Sequence, residues 1–308
     1  MLKKVLFVIN PISGIKRNPQ KLIDTIHGLW RESGIEYDIA PTERRGHGTE
    51  LSRQAAGEGY DMVVAVGGDG TINEVGRGLI GTSTALGIIP AGSGNGFARN
   101  LRIPLNQKKA IAALRSPRFK QIDVGRVNKH YFFNIAGAGI DADVTELFEQ
   151  APFRGPLPYF VAAIREYFRY DPRPISIQLN GAEFSRSPLL ISFANLPEFG
   201  MSAIIAPNAK PDDGLLDLCV INPVSIPKAL VSFPKLFNGK IETLSEVEIY
   251  QTPRAIIRRE KEGPIHTDGD LHFEQAELTV EILPRQLKIA LPEGNPHLET
   301  PSRENSPS

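Results

Sequence analysis

The N-terminal third of the chain alternates short, unbroken apolar runs with stretches of helical periodicity, and this alternation constrains the fold more than any other feature. Val5 to Ile9 is a continuous apolar run, the pattern of a parallel strand buried on both faces. Asn18-Pro19 then supplies an N-cap and a proline at the first helical position, and Leu22, Ile23, Ile26, Leu29 and Trp30 recur at helical spacing until Gly34. The cycle repeats with a strand at Tyr37 to Ala40, a helix at Glu50 to Ala56 stopped by Gly57, and a strand at Met62 to Val66. A helix near Asn73 to Leu79 leads to a strand at Leu86 to Ile89. Such repetition predicts an α/β domain, a doubly wound parallel layer with right-handed crossovers.

The pattern changes after about residue 125. Tyr131 to Ala136, Ile175 to Leu179, Leu189 to Ala194, Leu215 to Ile221, Glu246 to Tyr250, Ile265 to Asp268 and Leu278 to Ile282 are short, rich in β formers and separated by turn residues. They predict a largely antiparallel β domain, sandwich or barrel, interrupted by helices around Tyr159 to Arg169 and Lys228 to Phe237. The expected division is therefore 1–125 as an α/β domain, 126–292 as a β-rich domain and 293–308 as a polar, proline-punctuated, disordered tail.

The composition supports this division and narrows the partners. At 308 residues the chain suits about two domains, and 41% hydrophobic with 23% charged residues is ordinary for a globular protein. Thirty-five basic and 35 acidic residues cancel, which argues against nucleic acid as the main partner. A single cysteine excludes an internal disulfide framework and a Cys-based zinc site, and the six scattered histidines form no ligand pair. The five apolar residues after Lys4 are too few for a signal-peptide core, and no run approaches a membrane span. A cytoplasmic location, with at most peripheral membrane contact, is expected.

Three glycine-containing loops each follow a predicted strand: Asn10-Pro11-Ile12-Ser13-Gly14, Gly67-Gly68-Asp69-Gly70-Thr71, and Pro90-Ala91-Gly92-Ser93-Gly94-Asn95-Gly96. Ligands bind at the carboxyl ends of strands in open parallel sheets, and clustered glycines let backbone N–H groups converge on an anion beside a helix N-terminus. The loops therefore suit phosphates, although none matches GxxxxGK[ST] or GxGxxG. The plainer alternative is three tight strand-to-helix turns. Asp69 repels phosphate, so it makes sense as a base or a Mg²⁺ ligand, or else as an Asx turn or N-cap.

These loops, with Asn73-Glu74 and the Asn95-x-Phe97-Ala98-Arg99 ending, resemble the diacylglycerol kinase catalytic family, which includes bacterial lipid kinases and sphingosine and ceramide kinases. The resemblance implies an N-terminal nucleotide domain, a C-terminal β-rich lipid domain and an active site in the cleft. It implies ATP-dependent phosphorylation of a lipid hydroxyl, with Asn10, Pro11, Ser13, Gly14, Thr42, Gly67, Gly68, Gly70, Thr71, Glu74, Gly92, Ser93 and Asn95 holding the nucleotide. Asp69 would sit at the reacting phosphate and, with Asp270 assisting, orient the acceptor hydroxyl and take its proton. Asp270 stands in Asp268-Gly269-Asp270, where the family carries Asp-Gly-Glu. A structural Mg²⁺ is implied at Lys210-Pro211-Asp212-Asp213-Gly214-Leu215, with Asp213 as side-chain ligand and the carbonyls of Lys210 and Leu215 beside it. The alternative there is a hairpin turn.

Gly92-Ser93-Gly94-Asn95 is similar to the sphingosine and ceramide kinase branch, so the acceptor is diacylglycerol or a sphingoid or ceramide-type lipid. Lys16, Arg17 and Arg154 are candidate phosphate clamps, and each suits a solvated charge as well. Phe160, Val161, Ile164, Tyr167 and Phe168 form one face of a helix that suits a lid or membrane contact, though packing on the β domain is the plainer reading. The expected partners are thus ATP and a membrane lipid, with homodimer formation left open. Competing functions are an NAD kinase, which shares the Gly-Gly-Asp-Gly loop, and a non-catalytic nucleotide or lipid sensor.

Overall fold

The apolar runs of the N-terminal third become the interior strands of a parallel layer. In the computed structural model, which describes residues 2–13, 19–139, 172–200 and 203–298, the chain forms two compact units. One joins the residues up to Asp123 with those from Pro284 onward; the other is Val124–Leu283. The first unit contains β1 (Lys4–Ile9), α1 (Pro19–Trp30), β2 (Glu36–Pro41), α2 (His47–Gly57), β3 (Met62–Gly67), α3 (Asp69–Leu79), β4 (Ala85–Pro90), α4 (Gly96–Asn100) and α5 (Gln107–Ala113). Its strands run parallel in the order β2-β1-β3-β4. Every residue of β3 and β4 is buried, which is why their sequences are unbroken apolar runs rather than alternating ones.

The helices close this layer with large side chains. Ile26 and Trp30 of α1 are buried with Phe7, Val64, Ile89 and Ile111. The Trp30 ring meets Phe7 edge-on at 4.9 Å, and its Nε1 donates to the Ile111 carbonyl at 3.2 Å, so this buried indole has its polar atom satisfied. Strand order reverses direction between β1 and β3, the topological point at which such sheets accept ligands.

β5 (Arg118–Val127) leads into the second unit, which contains β6 (His130–Phe132), β7 (Ile135–Gly139), β8 (Ile175–Leu179), β9 (Ala182–Arg186), β10 (Leu190–Ala194), β11 (Glu198–Gly200), β12 (Ala203–Ile204) and β13 (Leu216–Ile221). There follow α6 (Ile226–Ser232), β14 (Val247–Thr252), β15 (Arg254–Arg258), β16 (Gly263–Thr267), β17 (Asp270–Glu274) and β18 (Glu277–Leu291). One antiparallel sheet runs β14-β13-β10-β7-β16-β17, and β9-β8-β15 continues antiparallel into the start of β18. Ile177, Ile257 and Val280 from the second set share one core with Phe193, Leu218 and Ile265 from the first. The unit is therefore a β-sandwich, settling the choice the sequence left open.

Several boundaries differ from the sequence reading for identifiable reasons. The stretch read as one strand at Tyr131 to Ala136 is broken between β6 and β7, because the Asp268 carboxylate takes the N–H groups of Phe133, Asn134 and Ile135. The helix expected to reach Phe237 ends at Ser232 and continues as a 3₁₀ turn, Phe233–Leu236, where Pro234 removes a helical donor. β18 runs far past Ile282. Its residues 284–291 belong to the first unit, where Ile289 pairs with Leu86, so the second unit ends before residue 292. Order also persists into the expected tail: Asn295 is buried and donates to the Leu101 carbonyl at 2.8 Å, and Pro296–Leu298 forms a 3₁₀ turn.

Candidate active site

The three glycine loops leave adjacent strands β1, β3 and β4, and hydrogen bonds join them into one structure. The Asn10 N–H donates to the Val66 carbonyl at 3.0 Å, and Asn10 Nδ2 donates to Thr71 Oγ1 at 3.1 Å. Asn10 Oδ1 accepts from the Ile12 N–H at 3.1 Å, fixing the turn that carries Pro11. Ser13 Oγ accepts from the Gly68 N–H at 3.1 Å, and the Thr42 N–H donates to the Ile9 carbonyl at 2.8 Å. Asn10, Ser13, Thr42, Gly67, Gly68 and Thr71 are thus gathered at one end of the sheet. Gly14, Lys16, Arg17 and Arg154 lie outside the described residues, as does the segment Phe153 to Tyr170.

Glycine serves two different purposes here. A Cβ on Gly92 would lie 2.5 Å from Gly68 Cα, and one on Gly67 would lie 2.4 Å from Thr71 Oγ1, so these positions are glycine because backbones and side chains pack against them. Gly70 differs. It occupies the first turn of α3, where glycine costs about 1 kcal/mol relative to alanine, yet a Cβ there would meet nothing within 4 Å. Internal packing does not require a glycine at this exposed position.

The carboxylates reverse the simplest sequence reading. Asp69 Oδ2 accepts from the Gly96 N–H at 3.1 Å and Oδ1 from the Phe97 N–H at 3.0 Å, so Asp69 caps the N-terminus of α4. A capping role was among the alternatives, but for the helix that Asp69 itself begins; the helix capped is the one beyond the third loop. Asn95, at φ 54°, folds that loop by accepting from the Gly92 N–H and donating to the Gly92 carbonyl, both at 2.9 Å. Ser93 is exposed at its tip.

Glu74 repeats the arrangement five residues further along α3. Its Oε1 accepts from the Gly46 N–H at 2.8 Å and its Oε2 from the Gly48 N–H at 3.1 Å, capping α2, whose own N-cap position is a glycine at φ 82°. Glu74, read as a nucleotide contact, thus has both oxygens committed to the β2–α2 connection.

In the second unit, Asp268 and Gly269 (φ 51° and 86°) form a two-residue turn of type I′ geometry between β16 and β17. The Asp268 carboxylate accepts three N–H groups at 2.8–3.0 Å, and its own N–H donates to the Ile135 carbonyl at 2.9 Å. Asp270 follows at the start of β17, cross-strand from Thr267 and half-buried. Sequence reading singled out Asp270 but missed Asp268 as the anchor; Asp-Gly between β formers is the hairpin signal that would have found it.

Further along β17, Glu274 is buried against Asn128, His130 and Lys129, at 2.8, 2.9 and 3.3 Å. Burial pushes its carboxyl upward, but these partners outweigh it and hold the group down at about 2. The His130 and His272 rings stack at 3.7 Å, and His272 Nε2 meets Thr267 Oγ1 at 2.8 Å, so the hairpin is braced on both strands.

The Asp213 turn is not a hairpin, since β12 pairs with β11 while β13 pairs with β10 and β14. The Leu215 N–H donates to Asp213 Oδ1 at 3.1 Å, and Gly214 takes φ 74°. No group of three or more His, Cys, Asp or Glu side chains converges among the described residues. Asp217, which the sequence did not flag, is buried beside this turn. Burial, aided by the Asp213 charge and only partly offset by a 3.3 Å bond from Gln251, pushes its carboxyl up to about 6. A cation beside Asp213 would offset that repulsion.

Residues 4–127 match the family model for the diacylglycerol kinase catalytic domain. Residues 134–291 match that for the YegS C-terminal NAD kinase beta sandwich-like domain. Together they define a lipid kinase built from an α/β unit and a β-sandwich. A diacylglycerol kinase of Mycobacterium tuberculosis is 33% identical over 87% of this chain and 88% of its own length. That of Bacillus subtilis is 30% identical over 73% and 76%. The crystal structure of a diacylglycerol kinase from Bacillus anthracis shares the fold, with a TM-score of 0.76 over 96% of this chain and 98% of its own at 21% identity. The chain belongs to the diacylglycerol kinase family. Among the described residues, no helix is long and apolar enough to cross a membrane.

Proposed function

We propose that this protein transfers the γ-phosphoryl group of ATP to the hydroxyl of a diacylglycerol-type lipid. The observation that carries the nucleotide half is Gly70, a glycine at a helix N-terminus that faces open space and so lets a ligand's phosphates approach the backbone. The first-turn N–H groups of Gly70 and Thr71 have no intrahelical acceptor and would receive those phosphates. Asn10, Pro11, Ser13, Thr42, Gly67, Gly68, Gly92, Ser93 and Asn95 shape the surrounding loops.

Phosphoryl transfer requires alignment and charge neutralisation more than covalent chemistry. Both oxygens of Asp69 already accept amides, so Asp69 serves best as a positioning residue that holds the third loop beside the second. Asp270 is the carboxylate we assign to orient the acceptor hydroxyl and take its proton. Mg²⁺ bound with the nucleotide supplies charge neutralisation, and a second ion at Asp213, with the Lys210 and Leu215 carbonyls, would stabilise the β-sandwich. The names of the relatives favour a lipid over NAD as acceptor.

The test is γ-labelled ATP with Mg²⁺ and detergent micelles of diacylglycerol, monoacylglycerol, sphingoid base or ceramide, with NAD in parallel. Label in the organic phase with diacylglycerol is expected. Label only on a sphingoid lipid would move the acceptor class, and label only on NAD would overturn the lipid assignment. ATP binding without transfer to any acceptor would favour the sensor.

A further inference from the structure

We propose that the exposed apolar face of α6 and its following 3₁₀ turn, rimmed by lysines, is the surface on which this protein docks to an anionic lipid bilayer. Leu230, Val231, Phe233 and Phe237 are 66%, 81%, 37% and 46% exposed, four large apolar side chains within eight consecutive residues. The Phe233 and Phe237 rings meet edge-on at 5.1 Å and remain at the surface together. Pro227 and Pro234 are exposed beside them.

The segment holds these side chains outward rather than leaving them in a loose loop. Ser232 is buried, and Leu236 packs inward against Ile135, Ala206 and Ile241 of the β-sandwich. Lys228 Nζ reaches Glu246 at 2.6 Å and Ser245 at 3.0 Å, and Lys235 Nζ donates to Thr243 Oγ1 at 2.8 Å. The apolar face therefore has a fixed support, with the lysines as its rim.

Charge identifies the occupant. Lys228, Lys235 and exposed Lys240 stand here against two nearby carboxylates, Glu242 and the Glu246 that pairs with Lys228, so the rim keeps a net positive charge carried by Lys235 and Lys240. Apolar side chains with basic residues around them match the interface of a bilayer that carries anionic headgroups. A second copy of the chain fits less well. The exposed parts of the four side chains make a patch of a few hundred Å², short of the ~800 Å² per partner that a stable dimer buries. Two identical lysine rims would also face each other. This inference rests on the lipid-acceptor reading for its biological sense, because a bilayer-embedded acceptor has to be met at the bilayer surface.

The experiment is co-sedimentation of the full chain with vesicles of phosphatidylglycerol and phosphatidylcholine, or of phosphatidylcholine alone, comparing wild type with Leu230→Asp/Val231→Asp. Thermal midpoint, sedimentation equilibrium and transfer to short-chain diacylglycerol in detergent micelles are measured on the same samples. The double variant should lose at least tenfold in anionic-vesicle affinity, while its thermal midpoint and micellar activity stay near wild type. Lys235→Gln and Lys240→Gln should each cost several-fold on anionic vesicles and little on neutral ones. Unchanged vesicle binding in the double variant would overturn the proposal, as would a wild-type dimer that this variant converts to monomer. If wild type phosphorylates no lipid yet its vesicle binding still depends on Leu230 and Val231, the docking surface stands and the acceptor assignment falls.

Discussion

Both units anchor backbone amides with carboxylates, but the β-sandwich also holds carboxylates in other settings. In the α/β unit, Asp69 and Glu74 stand on one helix, and each gives both oxygens to the N-terminal amides of a neighbouring helix. In the β-sandwich, Asp268 does similar anchoring work for a strand break, but Asp270 stands half-buried at the end of the hairpin it supports and Asp217 is buried beside a second carboxylate. An acid among glycines can therefore anchor a helix distant in sequence. Where a carboxylate's lone pairs point depends on chain segments distant in sequence.

The sharpest way to break this comparison is to remove one charge from each unit. Asp270→Asn should lower kcat by 10²–10⁴-fold, the usual worth of a general base, with little change in the KM for ATP or in the thermal midpoint. Asp69→Asn places an amide donor against backbone donors, so it should raise the KM for ATP and lower stability by about 1–3 kcal/mol as well as reduce turnover. Steady-state kinetics with a thermal melt decides. A pure kcat loss in Asp69→Asn, with stability and nucleotide affinity intact, would return the base role to Asp69.

Glycine provides the next test, confined to the α/β unit. Gly92→Ala forces a Cβ within 2.5 Å of Gly68 Cα and should cost roughly 2–3 kcal/mol of stability through backbone displacement. Gly70→Ala meets open space and should leave stability unchanged or raise it by up to about 1 kcal/mol. It should nonetheless weaken nucleotide binding, because the new methyl occupies the approach of the phosphates. Urea unfolding and ATP titration calorimetry on the same two variants separate these effects. A Gly70→Ala protein with full ATP affinity would place the phosphates elsewhere.

In the β-sandwich the contrast is one of pH. Asp217 has a folded pKa of about 6, above its ordinary value, so the native state retains a proton that the unfolded chain has lost. Its contribution is therefore favourable at low pH and disappears as pH rises through about 6, leaving a cost of roughly 2–3 kcal/mol at pH 7. Asp217→Asn should recover much of that cost at pH 7 and little at pH 4. Added Mg²⁺ should raise the wild-type thermal midpoint at pH 7 and lose that effect in Asp213→Ala. Glu274 has the opposite sign: held down at about 2, it stabilises above pH 4.5 and its contribution is lost as pH falls towards 2. Glu274→Gln should therefore destabilise at pH 7 and have little effect near pH 2. Thermal melts of both variants across pH check the two signs together.

Much of the architecture was written into local sequence. Runs such as Val5 to Ile9 and Met62 to Val66 are apolar at successive positions because both faces of a central parallel strand are covered, and the three loops follow from glycines placed after those runs. The β-sandwich was legible as a list of short strands but not as a sandwich, because the sharing of one core by Ile257 and Phe193 is a contact between distant segments. Likewise, nothing near Pro284 in the sequence announces that β18 continues to Leu291 and that its last residues belong with the first unit.

The sequence by itself determined the two-part plan, the three glycine loops after apolar strands and the residue types available for chemistry, since these depend on periodicity and on neighbours a few residues apart. Tertiary structure alone decided which carboxylates are committed to backbone amides, that Asp268 anchors the hairpin bearing Asp270, that Asp217 is buried beside Asp213, and that Leu230 and Val231 are left outside the core. The physical reason is the same in each case: a hydrogen-bond acceptor, a desolvation cost or an exposed apolar face is a property of what the fold brings near a residue, and the chain carries no local record of neighbours that approach it only through folding.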